Sequence, residues 1–421
     1  MRNVILGLDG VPFEHIQRFT ETDVMPCLHD IIQEGGFKRM QSSIPEISSV
    51  SWSSMITGKN PGMHHIFGFT DWIPQSYHIR FPSFNDLGCK PFWQQNKDTS
   101  VILNVPMTYP VQPLQGLHVS GFISLDLNKA VYPPGFINVL NQMNYMIDVD
   151  MHKAQQSKTL FLKLLHNSLQ QRKTVLDKTW DLYPWKQLMM VITGTDRIGH
   201  LMIKDYNMID SSLHQEYLNY YHEVDKVIGH VYKKMNPDDQ LILLSDHGMT
   251  HINQNIWLNN ILMEHGFLSF KNNLKKYDQI HQDSVAFCLE PGRVYLHHKD
   301  RFPHGSIQPD QVSQIKEMLI ELFSSIKYHG QPVIKKIVDT QKVYHGPYLK
   351  DAPDLLLLPV HGYSLRGGLS SSSVFTEPNN IQGMHTQEDA FLISNQGLDP
   401  VSSYPCIEET LNLFNKTNGE K

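Results

Sequence analysis

A chain of 421 residues, 40% apolar and 19% charged, is long enough to bury a large core, and its formal net charge of −6 argues against collecting long polyanions. Cys27, Cys89, Cys288 and Cys406 are scattered singly, which is neither a disulfide framework nor a zinc-thiolate motif. No run approaches the ~20 apolar residues of a membrane span, and the first residues lead into a strand pattern without a signal-peptide core. The expectation is a soluble cytoplasmic protein, with no membrane and no long nucleic acid among its partners.

In chain order, short β-rich apolar runs each close on a polar cluster. Val4–Leu8 ends at Asp9, Val101–Leu103 at Asn104, Met189–Ile192 at Thr195-Asp196, and Leu241–Leu244 at Ser245-Asp246-His247; Leu355–Leu358 reaches Pro359. Continuous apolar runs suit strands buried on both faces, as in a parallel sheet covered by helices. Between them, 160–176 has helical periodicity. Leu218, Tyr221, Val224, Ile228 and Val231 recur at spacings of three and four, and Val312, Ile315, Leu319 and Leu322 repeat the pattern.

Alternating strands and helices predict an α/β fold, with a site beyond the carboxyl ends of the strands. Residues 251–345 read differently: 255–270 as helix then turn, 284–298 as a hairpin around Pro291-Gly292, and 333–338 as a short strand. The expected organisation is a core over 1–250, a smaller α+β cap or insertion over 251–345, and a return to the core over 346–421.

The chain has 23 histidines, so a His is informative only inside a motif. Asp9 closes a strand, a position where a turn or cap residue is the ordinary reading. Asp196 and His200 are four apart, which puts both on one face at the start of a helix and within reach of one cation. Asp246-His247-Gly248 follows a fully apolar strand, where adjacent side chains reach forward and glycine leaves room for an ion. His385 stands in a Gly-rich stretch. Together these supply three carboxylates and three imidazoles, enough for two divalent cations. The mixed donors favour Zn²⁺, with Mn²⁺ as the harder-ion alternative. Two metals ~4 Å apart clamp the attacking and leaving oxygens of an in-line displacement.

The segment from Ile44 to Phe69 resembles the nucleophile region of the alkaline phosphatase superfamily. It is most similar to the type I phosphodiesterase/nucleotide pyrophosphatase family and its soluble phosphohydrolase/phosphomutase-like branch. In that pattern a Thr, Ser or Cys stands ten residues before the Gly of a Thr-Gly pair, and counting back from Gly58 gives Ser48. The plain reading, a Ser-rich helix start, is compatible, because a helix N-terminus itself favours phosphate.

The resemblance continues through Leu8-Asp9-Gly10, the block from Asn104 to Pro110, Val119–Phe122, Thr195–His200, Ser245–Gly248, Ala352–Asp354 and Gly383–His385, in the family's order. It implies an alkaline-phosphatase-like fold. Asp9, Ser48, Asp246 and His247 would hold the metal that activates the nucleophile, and Asp196, His200 and His385 the metal facing the leaving group. It further implies hydrolysis of a small phosphate ester, a nucleotide or similar, through a phosphoserine at Ser48.

Two positions depart from the pattern. Phe69 stands where nucleotide pyrophosphatases carry a phosphate-binding Asn, and His65 replaces the Gly after His64. Another donor must then bind the phosphate oxygen, with Asn104, Arg197 and His65 as candidates. The sequence after Ser48 lacks the Cys/Ser-x-Pro-x-Arg signature of sulfatases. The leading expectation is a phosphodiesterase. Phosphomonoesterase, phosphomutase and phosphonate hydrolase action on the same metals are alternatives, and a non-catalytic metal-binding scaffold or sensor is the alternative of another class.

Overall fold

The computed structural model describes residues 1–95, 98–271 and 274–418. Its chain divides into two compact units, one of residues 1–59, 83–250 and 380–421, the other of 60–82 and 251–379.

The first unit is built on an eight-stranded sheet. Its strands in chain order are β1 (Asn3–Leu8), β2 (Gly36–Met40), β3 (Ser100–Val105), β4 (Gly116–Ser120), β5 (Val131–Tyr132), β6 (Gln187–Ile192), β7 (Gln240–Leu244) and β8 (Ala390–Ser394). They lie in the order β2-β8-β7-β1-β6-β3-β4-β5. The five from β7 to β4 pair in parallel; β8 and β5 run antiparallel to them at the two ends, and β2 pairs antiparallel to β8 beyond it. This is the expected mostly parallel sheet flanked by helices.

The continuous apolar runs are explained by burial on both faces. Val4, Leu6 and Leu8, with Leu188, Met190 and Ile192, pack on one side against helices α2 (Lys158–Trp180), α3 (Gly194–Tyr206) and α4 (Ser212–Lys234). Alternate residues Ile5, Met189, Val191, Ile242 and Leu244 face the other way, onto Trp52, Met55 and Ile56 of helix α1 (Ser48–Thr57). Gly7 follows from this packing: a Cβ there would lie 2.4 Å from the Trp52 ring.

The second unit has its own apolar core of Trp72, Phe287, Tyr295, Phe302, Leu319 and Leu357. It contains an antiparallel sheet of Ala286–Leu289, Arg293–Leu296, Leu355–Pro359 and Ile334–Asp339, and a three-stranded sheet around Gln254–Trp257. The 286–296 hairpin and the 312–325 helix lie where the sequence placed them. Two details differ. The Leu355–Leu358 run belongs to this antiparallel sheet, because an apolar run reports burial on both faces and not strand direction. The helix expected from 255 begins at Leu258, after a short strand. The unit consists of residues 60–82 and 251–379. No helix among the described residues is long and apolar enough to cross a membrane.

One buried group, His118, is expected to make the first unit acid-sensitive. His118 of β4 is fully buried, with the rings of Phe84 and Trp93 edge-on at 6.0 and 5.8 Å, and neither ring nitrogen has a partner among the described residues. Burial pushes its pKa down from 6.5 to about 3. The unfolded chain therefore binds a proton that the folded chain refuses. Stability from this group is complete above pH 6.5 and declines towards pH 3 by about 1.4 kcal/mol per pH unit. His118→Leu is expected to flatten the acid limb of a urea-unfolding series by about that slope. An unchanged limb would assign the acid sensitivity to other groups.

Candidate active site

Register between parallel strands assembles the site. Leu8 of β1 lies beside Ile192 of β6, and Gly7 beside Leu244 of β7. The residues just past these ends, Asp9, Asp246 and His247, and the first turn of α3 bearing Asp196, therefore emerge side by side. His385 arrives on the short strand Gly383–Thr386, and Ser48 opens α1. These six residues, with His200 further along α3, all belong to the first unit.

The structure brings them into one neighbourhood. Ser48 Oγ lies 3.0 Å from His247 Nε2 and 3.3 Å from Asp9 Oδ1. Trp52, one turn along α1, donates its indole N–H to Asp9 Oδ2 at 3.3 Å. Thr195 donates its hydroxyl to the Asp9 carbonyl, and the Gly10 amide donates to Asp246 Oδ1 at 3.0 Å. Gly10 has φ +69°, and a Cβ there would stand 2.9 Å from Asp196 Oδ1, so both backbone and space require glycine. Gly383 serves a similar purpose: a Cβ there would lie 2.6 Å from the Gly199 carbonyl, and the segments of chain carrying His200 and His385 could not approach.

Two groups could hold a cation, with ligand atoms within 4.8 Å of one another: Asp196, His200 and His385, and Asp9, Asp196 and His247. Hydrogen bonding fixes the tautomers. His200 Nδ1 faces the Gly383 carbonyl at 2.8 Å, His385 Nδ1 the Glu46 carbonyl at 2.8 Å, and His247 Nδ1 the Gly248 carbonyl at 2.9 Å. A carbonyl only accepts, so each Nδ1 carries a proton, and an imidazole in its neutral form presents a bare Nε2 inward. The Nε2 atoms of His200 and His385 are then 3.0 Å apart, lone pair against lone pair. That contact repels unless a cation or a proton lies between them. Asp196 Oδ1, 3.2 Å from His200 Nε2, and the fully buried Asp246 Oδ2 have no hydrogen-bond partner among the described residues. Orphaned carboxylate oxygens facing imidazole lone pairs are the donor set of a divalent cation site, and the residues fit such ions.

The electrostatics agree. Burial, then Asp246 and Asp196, raise the Asp9 pKa well above its ordinary value, and burial pushes Asp246 up to about 6. Burial and neighbouring His385 hold His247 neutral. Burial opposes ionisation of Asp196 but is outweighed by His200, His385 and Arg197, which keep its carboxyl well below the usual range. His385 is shifted up, against burial, by Asp196. Asp9 and Asp246 are thus buried carboxylates short of positive charge, whereas Asp196 is already compensated by its imidazole and guanidinium neighbours.

The three candidates for the phosphate contact fare differently. Asn104 is fully buried, accepting a hydrogen bond from Tyr145. Arg197 is committed to Asp148 and Asp196. His65 lies in the second unit, paired with Asp351 at 3.5 Å and stacked on Tyr348. The carbonyls of Glu46 and Gly383, the Trp52 indole and Asp148 were not singled out from sequence. Trp52 alone left a signal, standing four residues after Ser48 on the same helical face.

Comparison with known proteins places these residues in context. Residues 3–387 match the family model described as type I phosphodiesterase / nucleotide pyrophosphatase. No curated protein matches the sequence. Among solved structures, phosphonoacetate hydrolase from Sinorhizobium meliloti 1021, in complex with phosphonoformate, aligns with TM-score 0.67 at 13% identity, covering 98% of this chain and 94% of that one. Human ectonucleotide pyrophosphatase / phosphodiesterase 5 aligns with TM-score 0.55 at 12% identity over 100% and 96% of the two chains. An inactive form of the murine protein in complex with AMP aligns with TM-score 0.55 at 12% identity over 99% and 94%. At such identities the structural likeness speaks for the fold.

Proposed function

We propose that this chain, which belongs to the type I phosphodiesterase / nucleotide pyrophosphatase family, is a phosphoric ester hydrolase that cleaves small phosphodiesters through a phosphoserine at Ser48. The observation that carries this reading is the position of Ser48 Oγ, 3.0 Å from His247 Nε2 and 3.3 Å from Asp9 Oδ1, at the first residue of a helix. A serine hydroxyl is a weak nucleophile by itself and gains reactivity from neighbours that stabilise its ionised form.

Asp9, Asp246 and His247 would hold one cation beside Ser48, and Asp196, His200 and His385 a second. Zn²⁺ suits the mixed imidazole and carboxylate donors, with Mn²⁺ the harder alternative. When bound, such ions supply Lewis acidity and offset charge on the phosphoryl oxygens. The chain's own part is positioning. The start of α1 directs helix N–H groups and the positive end of the helix dipole at the phosphate. The Nδ1–carbonyl bonds hold the three imidazoles in orientation; Ser48 Oγ gives up its proton and bonds to phosphorus as the ester oxygen leaves with the P–O bonding pair, the proton ending on the departing alcohol or in solvent. Water then cleaves the phosphoserine and restores the hydroxyl.

The test is turnover by protein stripped of metal and reloaded with Zn²⁺ or Mn²⁺, on p-nitrophenyl phosphate, p-nitrophenyl phenylphosphonate and thymidine 5′-monophosphate p-nitrophenyl ester. Metal-restored cleavage favouring the last two is expected. Preference for the monoester would reassign the chain to monoesterase action. Absence of turnover with metal bound would favour a binding role.

A further inference from the structure

Asp196 is held by a device that the ligand set does not account for. Arg197, its neighbour on α3, directs Nη1 to Asp196 Oδ2 at 2.7 Å. The other edge of the same guanidinium grips Asp148, with Nη2 at 2.7 Å and Nε at 3.1 Å from Oδ2. The Phe122 ring covers the guanidinium, 4.3 Å from Cζ to the ring centroid. Asp148 lies far away in sequence, in the segment between the helices Ile137–Gln142 and Met151–Ala154. All three side chains are largely shielded, with exposures of 15% for Asp148, 11% for Arg197 and 4% for Asp196.

The consequence is an asymmetry in the Asp196 carboxylate. Oδ2 is occupied by Arg197, while Oδ1 has no hydrogen-bond partner among the described residues and lies 3.2 and 3.4 Å from the Nε2 atoms of His200 and His385. A free carboxylate exchanges its two oxygens by rotating about one bond. A planar guanidinium fixed at both edges and on one face removes that freedom and offers a single oxygen to the imidazoles. It also places one positive charge against a group of buried carboxylates.

We propose that Asp148 and Arg197 form a positioning clamp that presents Asp196 Oδ1 to the cation shared with His200 and His385, and so sets the affinity of that site. The inference rests on the reading of Asp196 as a metal ligand given above. Asp148 is the remote anchor: without it the guanidinium is free to swing, and Asp196 loses its fixed orientation although no ligand has been changed.

The experiment is titration of metal-stripped protein with Zn²⁺ against a chromophoric chelator, together with the visible absorption spectrum of the Co²⁺-loaded protein. Wild type would be compared with Asp148→Asn, Arg197→Lys and the double variant Asp148→Ala/Arg197→Ala. Partners of this kind typically change metal affinity about 10- to 100-fold. A loss of that size at one of two bound ions, with an altered Co²⁺ spectrum, is expected in each single variant that keeps the wild-type circular dichroism. The double variant should lose less than the product of the single losses, since both act on one carboxylate. Arg197→Lys keeps the charge and removes the fork, and serves if Asp148→Asn does not fold. Folded variants with wild-type affinity and spectrum would overturn the clamp alone. Wild-type protein that binds no ion would overturn the metal reading and the clamp with it.

Discussion

Ser48→Ala is expected to bind the same number of ions as wild type and to lose turnover by roughly 10³-fold or more, the scale on which removal of a nucleophile acts. The separation of the two effects follows from geometry. Six other side chains, Asp9, Asp196, His200, Asp246, His247 and His385, would supply the carboxylate and imidazole donors, and although the Ser48 hydroxyl touches Asp9 and His247, each segment is also held by bonds that do not involve Ser48. Thr195 fixes the Asp9 carbonyl, the Gly10 amide fixes Asp246, and three backbone carbonyls fix the imidazoles. The substitution leaves α1 intact, because Ile47 occupies the cap and alanine is a good helix former at the first position. The measurement is kcat on the thymidine ester alongside metal analysis of the same sample. Turnover above about a tenth of wild type with both ions in place would remove Ser48 from the chemistry. It would point to direct attack by water instead.

The parts of this site that were readable from sequence are those set by the end of a strand. Asp9, Asp246 and His247 follow runs so apolar that burial on both faces was the natural reading, and parallel register then places their side chains together. The four-residue spacing of Asp196 and His200 carried similar information for α3. What was not readable depends on contacts between distant segments. Ala390–Ser394 inserts antiparallel between β2 and β7, and an apolar pentapeptide carries no mark of strand direction. The Leu355–Leu358 run was equally silent on its sheet. Asp148 is an ordinary loop carboxylate until the fold sets it against Arg197. His65 follows the nucleophile motif closely enough to invite a substrate role, and its ring is paired with Asp351 and stacked on Tyr348 within the second unit. Spacing along an element was legible, while pairing across elements was not.

Asp246→Asn should stabilise the metal-free protein and disable the loaded one. The Asp246 carboxylate is fully buried, with Oδ2 unpartnered among the described residues, and burial raises its pKa from 3.8 to about 6. For an acid the sign is fixed: a folded-state pKa above the unfolded value favours folding while the group is protonated. That advantage is complete below about pH 4 and is lost as pH rises through about 6. Above pH 6 the folded protein therefore carries an ionisation penalty on the order of 1–3 kcal/mol from this one group. Asparagine retains an oxygen for the Gly10 amide but carries no charge, so it removes the penalty. The metal-free variant should melt a few degrees above metal-free wild type at pH 7.5, with the difference vanishing near pH 4. Saturating Zn²⁺ should reverse the order. An ion at 100 times its dissociation constant stabilises the wild type by about 2.7 kcal/mol, and a site that has lost a carboxylate ligand gains far less. Melting curves of both proteins, with and without Zn²⁺, at pH 4 and pH 7.5 decide the matter. A metal-free variant that melts below wild type at pH 7.5 would show that the Asp246 charge is satisfied within the protein itself, and the case for an ion beside Ser48 would weaken with it.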